Sequence, residues 1–168
     1  MTPSRLALIL PLVFAAHNAE EALTIAAFLP AARERLHPVA PGWVDQITPA
    51  RFVAALIFVT LLGVAAGLWA LARPRSRVAL WALLLLQGVL LLNVISHLAA
   101  AVALRGYSPG LATALLLNLP LSLYVFRTAV GREWLPRAAL IALIPAALLV
   151  HGPLLLGLLA LVAWRGMR

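Results

Sequence analysis

Residues 6–29 read LALILPLVFAAHNAEEALTIAAFL. The run is apolar except for His17-Asn18, Glu20-Glu21 and Thr24. It is long enough to cross a bilayer as a helix, which takes about 20 residues. Two adjacent carboxylates in such a run are expensive, since a charge at the bilayer centre costs roughly 2.5–3.5 kcal/mol even on the lenient insertion scale. A plain hydrophobic anchor would not carry them. On a helix, His17, Glu20 and Glu21 are spaced i, i+3 and i+4 and share one face, which Thr24 extends by a turn. The stretch therefore predicts a spanning helix that presents a polar cluster to neighbouring helices.

The rest of the chain supplies those neighbours. Of 168 residues, 64% are hydrophobic and 11% charged, and long apolar runs alternate with short arginine-bearing segments. This pattern is that of a polytopic membrane protein. All thirteen basic residues are arginines that sit mostly between the runs. They read as topology signals and headgroup contacts, not as a nucleic-acid patch. There is no cysteine, which excludes disulfides and thiolate ligands. The expected fold is all-α, a helical bundle with five transmembrane helices at about residues 5–29, 50–72, 77–105, 109–128 and 136–165. Residues 1–168 then form a single transmembrane domain. Arg5 and Leu6–Phe14 have the pattern of a cleaved signal peptide, but apolar sequence continues through Ala22–Leu29 and favours a retained helix.

Pro30 to Pro49 is the longest polar connection, with Ala31–Leu36 a candidate interfacial helix, Trp43 a headgroup-level anchor and His37 a solvated loop residue. Gly63 and Gly67 form a small-xxx-small pair for close helix contact. Seven arginines (Arg5, Arg73, Arg75, Arg77, Arg127, Arg132, Arg137) fall on the N-terminal side, against six (Arg33, Arg35, Arg51, Arg105, Arg165, Arg168) on the other. The short, densely basic second and fourth loops favour an N-terminus inside the bacterial inner membrane.

His17, His97 and His151 lie on the three odd-numbered helices, each in the middle or second half of its span. These helices run in one direction, so the three imidazoles can share one layer at mid-membrane. Imidazoles with a carboxylate suit Zn²⁺, or a non-haem Fe or Mn. The HxxEE spacing is similar to the HxxEH of inverted zincins, in which the i and i+4 residues bind metal and the Glu at i+3 is the base. By that analogy His17, Glu21, His97 and His151 are metal ligands, Glu20 is the general base, and Asn93 orients a water or a substrate oxygen. The plain alternative is a buried polar network in which Asn93, His97, Asn118 and Ser122 make interhelical hydrogen bonds.

His17-Asn18-Ala19-Glu20-Glu21 near the N-terminus, followed by Asn93-x-x-x-His97 in a small polytopic chain, resembles the bacterial family named for its HXXEE motif. The resemblance carries over His17, Glu20 and Glu21 directly, while His151 is placed by depth alone. It implies no established activity. From the residues, the leading expectation is an intramembrane metal-dependent hydrolase acting on a lipid or isoprenoid. A metal-free acid–base isoprenoid cyclase or isomerase, a proton or metal-ion transporter, and a scaffold protein are the alternatives.

Overall fold

The computed structural model describes residues 1–38, 45, 47–154 and 157. Its helices are α1 (Pro3–Leu36), α2 (Pro49–Ala72), α3 (Arg77–Leu104), α4 (Leu111–Gly131) and α5 (Arg137–Leu149), the last continuing into a π-helical turn, Val150–Leu154. Each of the first three begins where a hydroxyl caps it. Thr2, Thr48 and Ser76 accept from the backbone N–H of Arg5, Arg51 and Ala79 at 3.3, 3.3 and 3.2 Å, satisfying donors that a helix start leaves unpaired. Pro3 and Pro49 occupy the first turn, where a missing N–H costs nothing.

α1–α4 are each long and apolar enough to cross a membrane. α5 is apolar too, but its described part, Arg137–Pro153, is shorter than a full span. The five-helix bundle therefore stands, with four full spans among the described residues. Trp164, Arg165 and Arg168, expected at the last helix's end, lie outside them, as does Trp43. Large apolar side chains such as Leu12, Leu23, Leu61, Leu116 and Ile141 are exposed. A helical surface of this kind faces lipid, and the protein is an integral membrane protein.

α1 runs through Pro30 to Leu36, so the expected interfacial helix is the last turn of α1 itself. Proline removes one helical hydrogen bond without forcing an end. Arg33 and Arg35 then sit at the negative end of the helix dipole. Arg33 Nη2 donates to the Ile47 carbonyl at 2.6 Å and Arg35 Nη1 to that of Ala103 at 2.8 Å. His37 lies 3.6 Å from Asp45, both exposed, as a loop residue should.

α3 is the central element and packs against all four other helices. α2 docks on α1 through the two glycines. A Cβ on Gly67 would come within 2.8 Å of the Ala7 carbonyl oxygen, and one on Gly63 within 2.7 Å of the Phe14 ring, so this approach requires residues without side chains. The apolar core, with Leu6, Leu10, Leu83, Leu84 and Val125, fills the half of the bundle nearest the N-terminus. Of the buried polar side chains, Gln87 (between Leu84 and Leu90 along α3) and Ser122 sit within its margin, while His17, Asn18 and Glu21 lie beyond it.

α4 departs from regular geometry. Ala114–Asn118 is π-helical and directly precedes Leu119-Pro120, while the π turn at the end of α5 contains Pro153. A proline ring crowds the preceding turn, and a wider i→i+5 turn accommodates it. α4 also starts later than the expected residue 109. Its N-cap is Gly110, at φ 81°, which offers no capping side chain.

Candidate metal centre

α1 brings His17 and Glu21 to α3, and α3 meets them with Asn93 and His97. His97 Nε2 lies 3.0 Å from Glu21 Oε1 and 3.3 Å from His17 Nε2, and His17 Nε2 lies 3.7 Å from Glu21 Oε1. The three ligand atoms all fall within 4.8 Å of one another. His17 is fully buried and Glu21 nearly so. These separations suit a metal. Bonds of about 2.0–2.1 Å in a tetrahedral site place neighbouring ligand atoms roughly 3.3 Å apart, and the observed distances bracket that value.

The surroundings fix the ring orientation. Thr113 Oγ1 donates to the Gly110 carbonyl at 3.3 Å and so accepts from His17 Nδ1, 2.9 Å away. The His17 proton is thereby held on Nδ1, and the Nε2 lone pair points at Glu21 and His97. His97 Nδ1 is turned to Ser108 Oγ at 3.5 Å, which likewise directs its Nε2 inward. Asn93 Nδ2 lies 3.2 Å from His17 Nε2 and, with the His17 proton on Nδ1, donates to it from the rim of the group. Lone-pair atoms at these distances repel, and a cation among them would relieve that repulsion.

Glu20 has different partners from its neighbour. Its carboxylate accepts from the backbone N–H of Ala112 at 3.0 Å and of Thr113 at 2.6 Å, and from the Tyr107 hydroxyl. α1 thus supplies the cap that Gly110 cannot give to α4, an anion placed at a helix N-terminus. Burial, and then the hydrogen bond to Glu20, hold the Tyr107 phenol above its ordinary pKa, so it remains a donor. Gly110 lies against the metal group itself. A Cβ there would stand 2.8 Å from both Glu21 Cγ and His17 Cε1.

Of the residues singled out in the sequence, His17, Glu21, His97 and Asn93 come together. His151 is outside the group. Its Nε2 lies 2.7 Å from Ser96 Oγ, and its Nδ1 is buried with no partner among the described residues. Equal depth does not imply equal rotation about the helix axis: His151 meets Ser96, about 100° around α3 from His97, and so lies beside the group, within electrostatic reach of His97 and Glu21, and not in it. Thr24 bonds back to the Glu20 carbonyl within α1. Asn18 ties α1 to α2 through Thr60 at 2.6 Å. Sequence reasoning missed Tyr107, Ser108, Gly110 and the role of Thr113. The signal available was Ser108-Pro109-Gly110, a helix-start tripeptide in a loop too short to travel far from helix three.

A bundle of apolar helices with a buried His–Glu–His group defines a polytopic membrane protein with a candidate metal site. The chain belongs to the family described as proteins of unknown function with an HXXEE motif, which it matches over residues 8–125. That stretch contains the whole triad and Asn93, and stops before α5 and His151. The chain is also similar to the uncharacterised protein YrkK of Bacillus subtilis, 32% identical over 114 residues, covering 63% of each chain. The matched part thus spans less than two thirds of that relative's length. No solved structure matches.

Proposed function

We propose that His17, Glu21 and His97 bind a divalent cation, with Zn²⁺ the best fit and Fe or Mn the alternatives, and that the protein is a membrane hydrolase of a lipid or isoprenoid substrate. The observation that carries the reading is the triad's spacing, together with the Thr113 hydrogen bond that turns the His17 lone pair inward. A cation there supplies Lewis acidity and a lowered pKa for water. The chain's own residues hold and orient: Thr113 and Ser108 set the two imidazoles, and Asn93 meets a substrate oxygen. Glu20, the base by analogy with inverted zincins, is engaged by α4, so Glu21 and His97 are the groups nearest to an incoming proton.

Depth along the helices argues for an interfacial substrate. At about 1.5 Å per residue, Glu21 lies about 27 Å from Pro3, His97 about 30 Å from Arg77 and Thr113 about 27 Å from Gly131. These starting points share one end of the bundle, where Arg132 bonds to Met1 and Trp81 to Ala139. With a hydrocarbon core of about 30 Å, the centre lies toward the opposite interface and not at the midplane. A lipid could therefore present its polar group to the centre while its tail stays in the bilayer. With the N-terminus inside the bacterial inner membrane, the orientation that the short, densely basic second and fourth loops favour, the centre lies near the outer face.

Metal analysis of protein purified without chelators tests this. About one divalent ion per chain is expected, lost in His17→Ala and His97→Ala and kept in His151→Ala. Absence of stoichiometric metal from the wild type would overturn the proposal. The short His97–Glu21 contact would then stand as a proton-sharing pair in a metal-free acid–base enzyme.

A further inference from the structure

Between α3 and α4 lies a second polar group that the metal centre does not use. Gln87, Asn118 and Ser122 are each fully buried. Gln87 Nε2 donates to Ser122 Oγ at 2.7 Å. Gln87 Oε1 and both Asn118 Oδ1 and Nδ2 make no hydrogen bond among the described residues. Flipping the Gln87 amide exchanges which of its atoms is left over, and Asn118 lacks partners in either orientation. Unpaired amide atoms are strongly disfavoured in a bilayer, so an occupant is called for.

The unpaired set names the chemistry of that occupant. It comprises two acceptors, Gln87 Oε1 and Asn118 Oδ1, and one donor group, Asn118 Nδ2. Water both donates and accepts and can serve all three. A cation would serve only the oxygens and would face the Asn118 N–H groups with like polarity. The π segment aligns this group with the metal centre. In a regular helix Thr113 and Asn118 would be about 140° apart. The i→i+5 turn closes that angle, and Asn118 and Ser122 follow at i, i+4. One polar stripe then runs from the hydroxyl that holds His17 into the bundle. Past Ser122 and Gln87 the helices carry apolar core residues, Val125 and Ala129 on α4 and Leu83 and Leu84 on α3.

We propose that Gln87, Asn118 and Ser122 form a recess between α3 and α4 that binds ordered water, and that it keeps reacting water behind the His17–Glu21–His97 centre. Its use as a reserve rests on the hydrolytic reading above; the binding of water does not. Radiolytic hydroxyl-radical labelling of the full chain in H₂¹⁸O, in liposomes, tests it. Radicals formed from bound water oxidise adjacent side chains even where bulk solvent is excluded. Leu90 and Val125, one turn from Gln87 and Ser122, are both fully buried and are expected to take up ¹⁸O. Leu6, equally buried in the apolar core, is expected to stay unmodified.

In Asn118→Leu, labelling of Leu90 is expected to fall at least fivefold and the melting temperature to drop. Wild-type labelling of Leu90 and Val125 no higher than that of Leu6 would overturn the proposal, whether or not the variant folds. So would a higher melting temperature in Asn118→Leu, because an apolar replacement relieves an amide that truly lacks a partner. A melting temperature raised by Na⁺ over choline would assign the recess to a cation and overturn it equally. Metal content separates the two readings: a labelled recess in a metal-free wild type leaves the water site standing and removes the hydrolase.

Discussion

Glu20 and Glu21 are neighbours in sequence but point about 100° apart around α1, and that angle gives them separate partners. Glu21 meets two imidazoles, while Glu20 meets the start of α4. The two isosteric amides should therefore fail differently. Glu21→Gln removes the anionic ligand, and metal content is expected to fall at least tenfold with little change in the fold. Glu20→Gln keeps the triad but weakens a charge-assisted cap, which is worth about 1–2 kcal/mol. It should lower the melting temperature and reduce metal content only partly, as Thr113 loosens its hold on His17. Thermal unfolding and metal analysis on both variants check this. A Glu20→Gln protein with wild-type stability and metal but no activity would return Glu20 to the role of general base.

At the scale of elements, close approach of α1 and α2 fixes where the motif helix can sit. Gly67→Val would force a side chain to within 2.8 Å of the Ala7 carbonyl oxygen and 2.6 Å of Pro11 Cγ. Overpacking of this kind costs about 1–3 kcal/mol, and the backbone oxygen cannot turn aside. Gly131→Ala, which meets nothing within 4 Å, is the matched control and should unfold like the wild type. Denaturation in detergent distinguishes them; equal stability of Gly67→Val and wild type would mean that the two helices do not pack this tightly. The glycine pair was legible in sequence, as were five helices, four of them full spans among the described residues, and the meeting of His17, Glu21 and His97. Helical period and depth along parallel helices are enough to find these. They give no rotation of one helix about its axis relative to another, which is why His151 faces Ser96. Nor do they show a π segment, which shifts every residue beyond Asn118 relative to Thr113, or the late start of α4 that lets Glu20 cap it.

Over the whole molecule, the two ends of the bundle differ. At one end α1, α3 and α4 lie level and enclose apolar core. At the other, α1 and α3 run about 22 and 10 Å past Glu21 and His97, whereas α4 begins beside them. The Arg105–Gly110 connection consequently descends toward the metal centre, with Tyr107 exposed over Glu20. The proposed orientation, with the short, densely basic second and fourth loops inside, would place this end of the bundle outside the cell. The cysteine-free sequence makes the orientation directly measurable, because any introduced thiol is the only one present. Arg105→Cys and Arg75→Cys place exposed thiols at opposite ends of α3. A membrane-impermeant maleimide on intact cells is expected to label the first and leave the second until the cells are opened. The reverse pattern would turn the protein over, place the centre near the cytoplasmic face, and direct the search for its substrate to lipids of the inner leaflet.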